Sequence, residues 1–226
     1  MKSVRAQMGF TLVEIAIVLV IIGLLLGGVL KGQEMITSAK IKNVINDLNG
    51  VTTAFASYQD RYKAIPGDDL NAVGRWGAVT INGNGNGQIA GNYNNAITVA
   101  PVAGQESNLF WQHLRLAGFV PGPTQGPGSG GQPQNAAGGM IGVETGNPGT
   151  SGLGFASLII CAANLPDKIA IAVDTQLDDQ NAITGQIRGQ KQSGPNPATV
   201  KEGEVGVSDA NYVDNGTNQY LICKAI

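Results

Sequence analysis

Residues 1–31, MKSVRAQMGFTLVEIAIVLVIIGLLLGGVLK, join a short basic leader to a long apolar run and place one carboxylate, Glu14, near the start of that run. From Phe10 to Leu30, Glu14 is the only ionisable side chain. As a helix, about 20 apolar residues at 1.5 Å rise match the roughly 30 Å hydrocarbon core of a bilayer. The segment can span a membrane. Lys2, Arg5 and the amino terminus lie on its short side, and that excess of positive charge predicts a single-pass topology with the N-terminus cytoplasmic and the bulk of the chain exported.

A secretory signal peptide also starts with a basic stretch and an apolar one, but its apolar region is about 7 to 15 residues long and ends in a small-x-small cleavage site. Here the run continues past Gly27 and Gly28 to Lys31, with no Ala-x-Ala behind it. A plain membrane anchor explains Glu14 badly. An acidic group at a helix centre costs about 2.5 to 3.5 kcal/mol on insertion scales, and ionisable residues within a membrane usually mark function or a paired partner.

Gly9-Phe10-Thr11-Leu12-Val13-Glu14 resembles the processing motif of type IV prepilins and of the pseudopilins of type II secretion systems. The resemblance implies cleavage between Gly9 and Phe10 by an inner-membrane prepilin peptidase and N-methylation of the new terminus at Phe10. It also implies that Glu14 directs subunit assembly by neutralising the terminal amine of a neighbouring subunit in an apolar filament core. The physics agrees: two unpaired buried charges are each costly, and bringing them together offsets much of that desolvation.

The chain has 226 residues, which predicts one globular domain behind its helix. Charged residues make up 13% and glycines number 33, so the exported part should be loop-rich and held by β-structure and turns. The formal charge is −2, and −4 once Lys2 and Arg5 leave with residues 1–9. With no cluster of Lys and Arg, the sequence offers no dedicated nucleic-acid site.

Ile36, Ile41, Val44, Ile45, Leu48, Val51, Phe55, Tyr58 and Tyr62 recur at three- and four-residue steps and line one face of an amphipathic helix that should pack on a sheet. Gly23, Gly27, Gly28 and Gly32 lie between the apolar and amphipathic halves. Each weakens helix by about 1 kcal/mol relative to Ala, which suggests a hinge there. The equal alternative is that they let helices approach closely in the membrane. Ile65-Pro66-Gly67-Asp68-Asp69 ends the helix with turn chemistry.

Asn82-Gly83-Asn84-Gly85-Asn86-Gly87-Gln88-Ile89 reads as a tight glycine-rich turn between strands. Its alternate oxygen side chains also match the first half of a calcium loop, to which Asp68, Asp69 or Glu106 would have to lend charge. Residues 106–119 read as a second helix, capped by Ser107 or Asn108 and terminated at Gly118. His113 stands alone as a histidine and reads as a surface or hydrogen-bonded residue, Trp111 as a core or interface anchor. Residues 121–154 are rich in Pro, Gly, Ser and Asn and read as a long surface loop with a short strand at Met140–Val143.

In an exported chain Cys161 and Cys223 can form one intramolecular disulfide, and closing about 60 residues would stabilise the fold by roughly 4 kcal/mol. The pair resembles the disulfide-bounded C-terminal region of many type IV pilins. Reactive thiols are the alternative, against which stands the lack of a CxxC or neighbouring base. Lys168–Val173 alternates as a strand, followed by an acidic turn in which Asp174, Asp178 and Asp179 are candidate calcium ligands. Asp-Asp turns followed by Thr-Gly, here Thr184-Gly185, also occur in pilin-like proteins and favour a structural turn. A last strand falls at Tyr220–Cys223.

These readings combine into an α+β, pilin-like fold: residues 1–9 a leader, 10–31 a transmembrane and filament-core helix, 32–226 a periplasmic or extracellular domain with an antiparallel sheet and long loops. The implied function is that of a non-enzymatic structural subunit of a type IV pilus or pseudopilus, needing no cofactor. Its implied partners are the prepilin peptidase, identical or related subunits, the inner membrane and the assembly platform of a pilus or type II secretion machine. The rival roles are a minor pilin or pseudopilin priming a secretion or DNA-uptake fibre, and a non-polymerising membrane-anchored periplasmic binding domain.

Overall fold

The computed structural model describes residues 10–96, 104–204 and 211–226. Helix α1 spans Leu12–Tyr62, and the chain divides into two compact units, one up to Ala39 and one from Lys40 to Ile226. In the first unit the helix passes through Gly23, Gly27, Gly28 and Gly32 without a break, so the expected hinge is absent. Hydrogen bonds along the backbone outweigh four dispersed glycines, because helix propensity is a weak prior beside cooperative propagation. Ile36, expected on the packed face, belongs to this unit and is exposed.

The second unit is α+β and has the pilin-like architecture that the sequence implies. Its elements after α1 are α2 (Ala72–Trp76), α3 (Glu106–Leu116), β1 (Ile141–Thr145), β2 (Leu158–Pro166), α4 (Asp167–Leu177), β3 (Ile187–Lys191) and β4 (Gln219–Ala225). The four strands form one antiparallel sheet in the order β1-β2-β4-β3. Strand periodicity divides their side chains between two faces. Ile141, Val143, Ile160, Ala162, Tyr220 and Ile222 join Val44, Leu48, Val51, Ala54 and Tyr58 of α1 in the larger core, together with residues of α3 and α4. Ile159, Cys161, Ala163, Leu221 and Cys223 point to the other face and pack with Tyr93, Leu153 and Phe155.

Lys168–Val173 is the body of α4 and not a strand. Its Ile-Ala-Ile-Ala-Val run alternates, but the buried positions Ile169, Ala170, Val173 and Asp174 follow the helical period. Asp167 supplies the acidic first turn that favours a helix start. The strands that the sequence reading missed, β2 and β3, flank this helix in sequence. β2 is a nearly continuous apolar run buried on both faces, so it lacks the alternation that marks a half-exposed strand.

Helix α3 begins without a side-chain cap: Ser107 and Asn108 lie inside its first turn and are buried. It ends as expected. Gly118 adopts φ +78°, its N–H donates to Arg115 O at 3.0 Å, and the Phe119 N–H donates to Leu114 O at 2.9 Å. That bond pattern is a Schellman motif, which favours glycine at the left-handed position.

His113 is fully buried. Its Nδ1 accepts the Gly67 N–H at 2.9 Å, so the proton sits on Nε2, which faces Ile81 O at 3.2 Å. Burial, aided by the nearby Arg75 charge, lowers its pKa to about 4 and keeps it neutral. Trp111 is likewise fully buried in the core.

The loops are held by buried polar side chains that bond the backbone. Asp68 accepts the N–H groups of Gly85, Asn86 and Gly87, while Glu106 accepts those of Asn84 and Ala90 at 2.9 Å each. The Asn82–Ile89 segment is therefore wrapped on two carboxylates and is not a turn between strands. The side-chain oxygens of Asn82, Asn84 and Asn86 each accept a backbone N–H. Arg115 gathers the carbonyls of Pro121, Gly128, Ser129 and Gly131 and so ties down the first part of the long loop. Glu144 on β1 accepts the Tyr93 N–H at 2.8 Å and the Thr199 hydroxyl at 2.5 Å, joining segments far apart in sequence. Burial raises the pKa of Glu144.

Candidate functional site

At the helix N-terminus Phe10 is 84% exposed, and Gly9 lies outside the described residues. Thr11 directly precedes the helix and Glu14 is its third residue. The Thr11 N–H donates to Glu14 Oε2 at 2.8 Å and the Thr11 hydroxyl to the same oxygen at 2.7 Å; the Glu14 N–H faces Thr11 Oγ1 at 3.3 Å. This reciprocal Thr-x-x-Glu arrangement is a capping box. It satisfies helix-end donors that hydrocarbon would leave unpaired, at a cost of several kcal/mol each. The role of Thr11 is one that the sequence analysis above does not assign, and its signal is the Thr-x-x-Glu spacing of residues 11–14.

Behind this cap the helix is apolar all round. Leu12, Ile15, Leu19, Ile22, Leu26 and Val29 are each 46% exposed or more, as are their neighbours on the remaining faces. A helix hydrophobic on every side calls for surroundings that are equally apolar, either lipid or other helices. A Cβ placed on Gly23, Gly27, Gly28 or Gly32 would meet no atom within 4 Å, so nothing within the described chain requires glycine at these positions.

Cys161 and Cys223 are directly opposed on β2 and β4 and form a disulfide, with Cα atoms 4.0 Å apart and 62 residues of sequence separation. Both are fully buried, and among the described residues no cysteine is free. The bond locks the two central strands in register.

Asp174, Asp178 and Asp179 come together at the end of α4, with carboxylate oxygens within 4.8 Å of one another. Each already serves the local fold. Asp174 accepts the Gln180 N–H at 2.9 Å and the Tyr212 hydroxyl at 2.6 Å; Asp178 accepts the Ile187 N–H at 2.7 Å. Asp179 accepts the Asn181 N–H at 2.9 Å and the Thr184 hydroxyl at 2.6 Å. Burial raises Asp174 to about 6, and the nearby Asp178 and Asp179 charges add to the shift. The bond to Thr184 instead lowers exposed Asp179. These contacts make the segment a cap on α4 that leads into β3.

The prokaryotic N-terminal methylation motif matches residues 5–30. This is the signature of type IV pilins and pseudopilins, and the chain carries it. Among curated proteins, none matches the chain. The motif and the long apolar helix fit a type IV pilin-like, membrane-anchored subunit.

Proposed function

We propose that the chain is a structural subunit of a type IV pilus or pseudopilus. It inserts into the inner membrane with its N-terminus cytoplasmic, loses residues 1–9 to the prepilin peptidase by cleavage between Gly9 and Phe10, and is methylated at Phe10. The assembly platform of a pilus or secretion machine then extracts it into a filament, in which the helices of identical or related subunits replace lipid around residues 10–30. The observation that carries this reading is the apolar helix exposed on every face, headed by Glu14 and lying within the methylation motif.

Two features support the filament over a passive anchor. Glu14 lies four residues from the new amine at Phe10 and bonds the N–H of Thr11 next to it, and pairing its charge with the amine of a neighbouring subunit offsets the desolvation of both. The open flanks of Gly23, Gly27, Gly28 and Gly32 admit the close approach of a neighbouring helix. Replacing Glu14 by Ala tests the role. Membrane insertion should persist while filaments, counted by electron microscopy, are lost; an undiminished filament yield would refute it.

A further inference from the structure

The second unit carries an open cleft of about 530 Å³, within the size range of small-ligand sites. Gln88, Asn92, Thr145, Asn147 and Ser151 supply its polar side chains. Pro148 and Ala156 add small apolar surfaces, and among the described residues no charged side chain lines it. Two loops far apart in sequence form its walls, one leading out of the Asn-Gly segment and one following β1.

The frame of this cleft is fixed by bonds that leave its lining free. The Ile89 N–H donates to Thr145 Oγ1 at 2.7 Å and the Ala90 N–H to buried Glu106, which hold the first wall. The Gly146 N–H donates to Ser157 O at 2.9 Å, and the Thr150 and Ser151 N–H groups to Asn147 O at 3.0 Å, which hold the second. A Cβ on Gly146 would collide with the Phe155 carbonyl, so the backbone can pass there only as glycine. Within this frame the carboxamides of Gln88, Asn92 and Asn147 and the hydroxyl of Ser151 bond no other described residue. The Thr145 hydroxyl uses its oxygen as an acceptor and keeps its O–H to donate.

The chemistry selects the ligand. Each carboxamide presents a donor and an acceptor side by side, which pairs with adjacent hydroxyl groups. A charged ligand would meet no opposite charge here, and an apolar one would desolvate several amides without repaying their hydrogen bonds. A neutral ligand dense in hydroxyls suits both constraints, and the Pro148 ring and Ala156 can face its C–H surface. We propose that this cleft binds a neutral oligosaccharide, with the preformed frame limiting the entropy lost on binding.

The test uses the full chain in a zwitterionic detergent that carries no sugar head group, applied to an array of neutral, sialylated and sulfated oligosaccharides. Neutral glycans should bind, and the same oligosaccharide free in solution should compete. The Asn92→Ala/Asn147→Ala double variant should bind at least tenfold more weakly with unchanged thermal unfolding. Gln88→Ala, expected to lose several-fold, serves if the double variant unfolds. Absence of neutral-glycan binding, preference for charged glycans, failure of the free sugar to compete, or wild-type affinity in folded variants would each overturn the proposal.

Discussion

The apolar half of α1 and the domain beyond Lys40 handle their polar groups in opposite ways. In the first, one carboxylate sits at the helix tip, bonded among the described residues only within Thr11–Glu14, and every apolar face is bare. In the second, Asp68, Glu106, Glu144 and Asp167 are buried, and each is met by backbone N–H groups of the same domain. These four carboxylates find their partners within the domain. The helix leaves its apolar faces to be covered by something outside the chain, lipid at one stage and, under the proposed function, other subunits at the next.

If that contrast holds, changes in the domain should act on folding and changes in the helix on its surroundings. The largest folding effect is expected from Cys161→Ser/Cys223→Ser, which should lower domain stability by about 4 kcal/mol in urea unfolding of the full chain in detergent. Membrane partition should not change. Arg115→Ala comes next: it strands the carbonyls that the guanidinium collects and should cost about 2 to 3 kcal/mol in the same measurement. A cost below about 0.5 kcal/mol would show that the long loop is not anchored through Arg115.

Protonation tests the same self-sufficiency. The folded pKa of His113, about 4, lies below its ordinary 6.5, so its contribution to stability is present above pH 6.5 and is lost as pH falls through 4. The full span is on the order of 3 kcal/mol. Asp174 runs the other way: its folded pKa of about 6 lies above 3.8, so its contribution is present below 3.8 and is lost as pH rises through 6. Since the chain has one histidine, imidazole NMR reads His113 directly. It should stay neutral at pH 5.5; a titration midpoint near 6.5 would contradict the buried Gly67–His113 bond. The smallest effect is expected from Gly28→Ala, whose Cβ meets open space. Domain unfolding should shift by less than about 0.5 kcal/mol.

The two regions also differed in how far the sequence could be read. In α1 the three- and four-residue period named Val44, Leu48, Val51 and Tyr58 correctly, because a helix repeats its environment locally. The C-terminal strand and the opposed cysteines were legible for a similar reason, each being marked by its own residues. Lys168–Val173 was misread because five alternating residues fit both periods, and only Asp174 and Leu177 extend the helical one. The loop anchors lay beyond reach: Glu144 meets Tyr93 and Thr199 across 51 and 55 residues, and a carboxylate bonding backbone leaves no pattern at its partner. The cleft was hidden likewise, since its two walls become neighbours only in the folded domain.

The central claim is that the apolar helix becomes a filament element whose N-terminus is made by processing. Mass spectrometry of the N-terminal peptide, from chain recovered from membranes of cells that hold a prepilin peptidase, tests it most directly. The account predicts a peptide that begins at N-methylated Phe10 and carries Glu14 as its fifth residue. A peptide that still begins at Met1 would contradict it and leave the segment an ordinary membrane anchor.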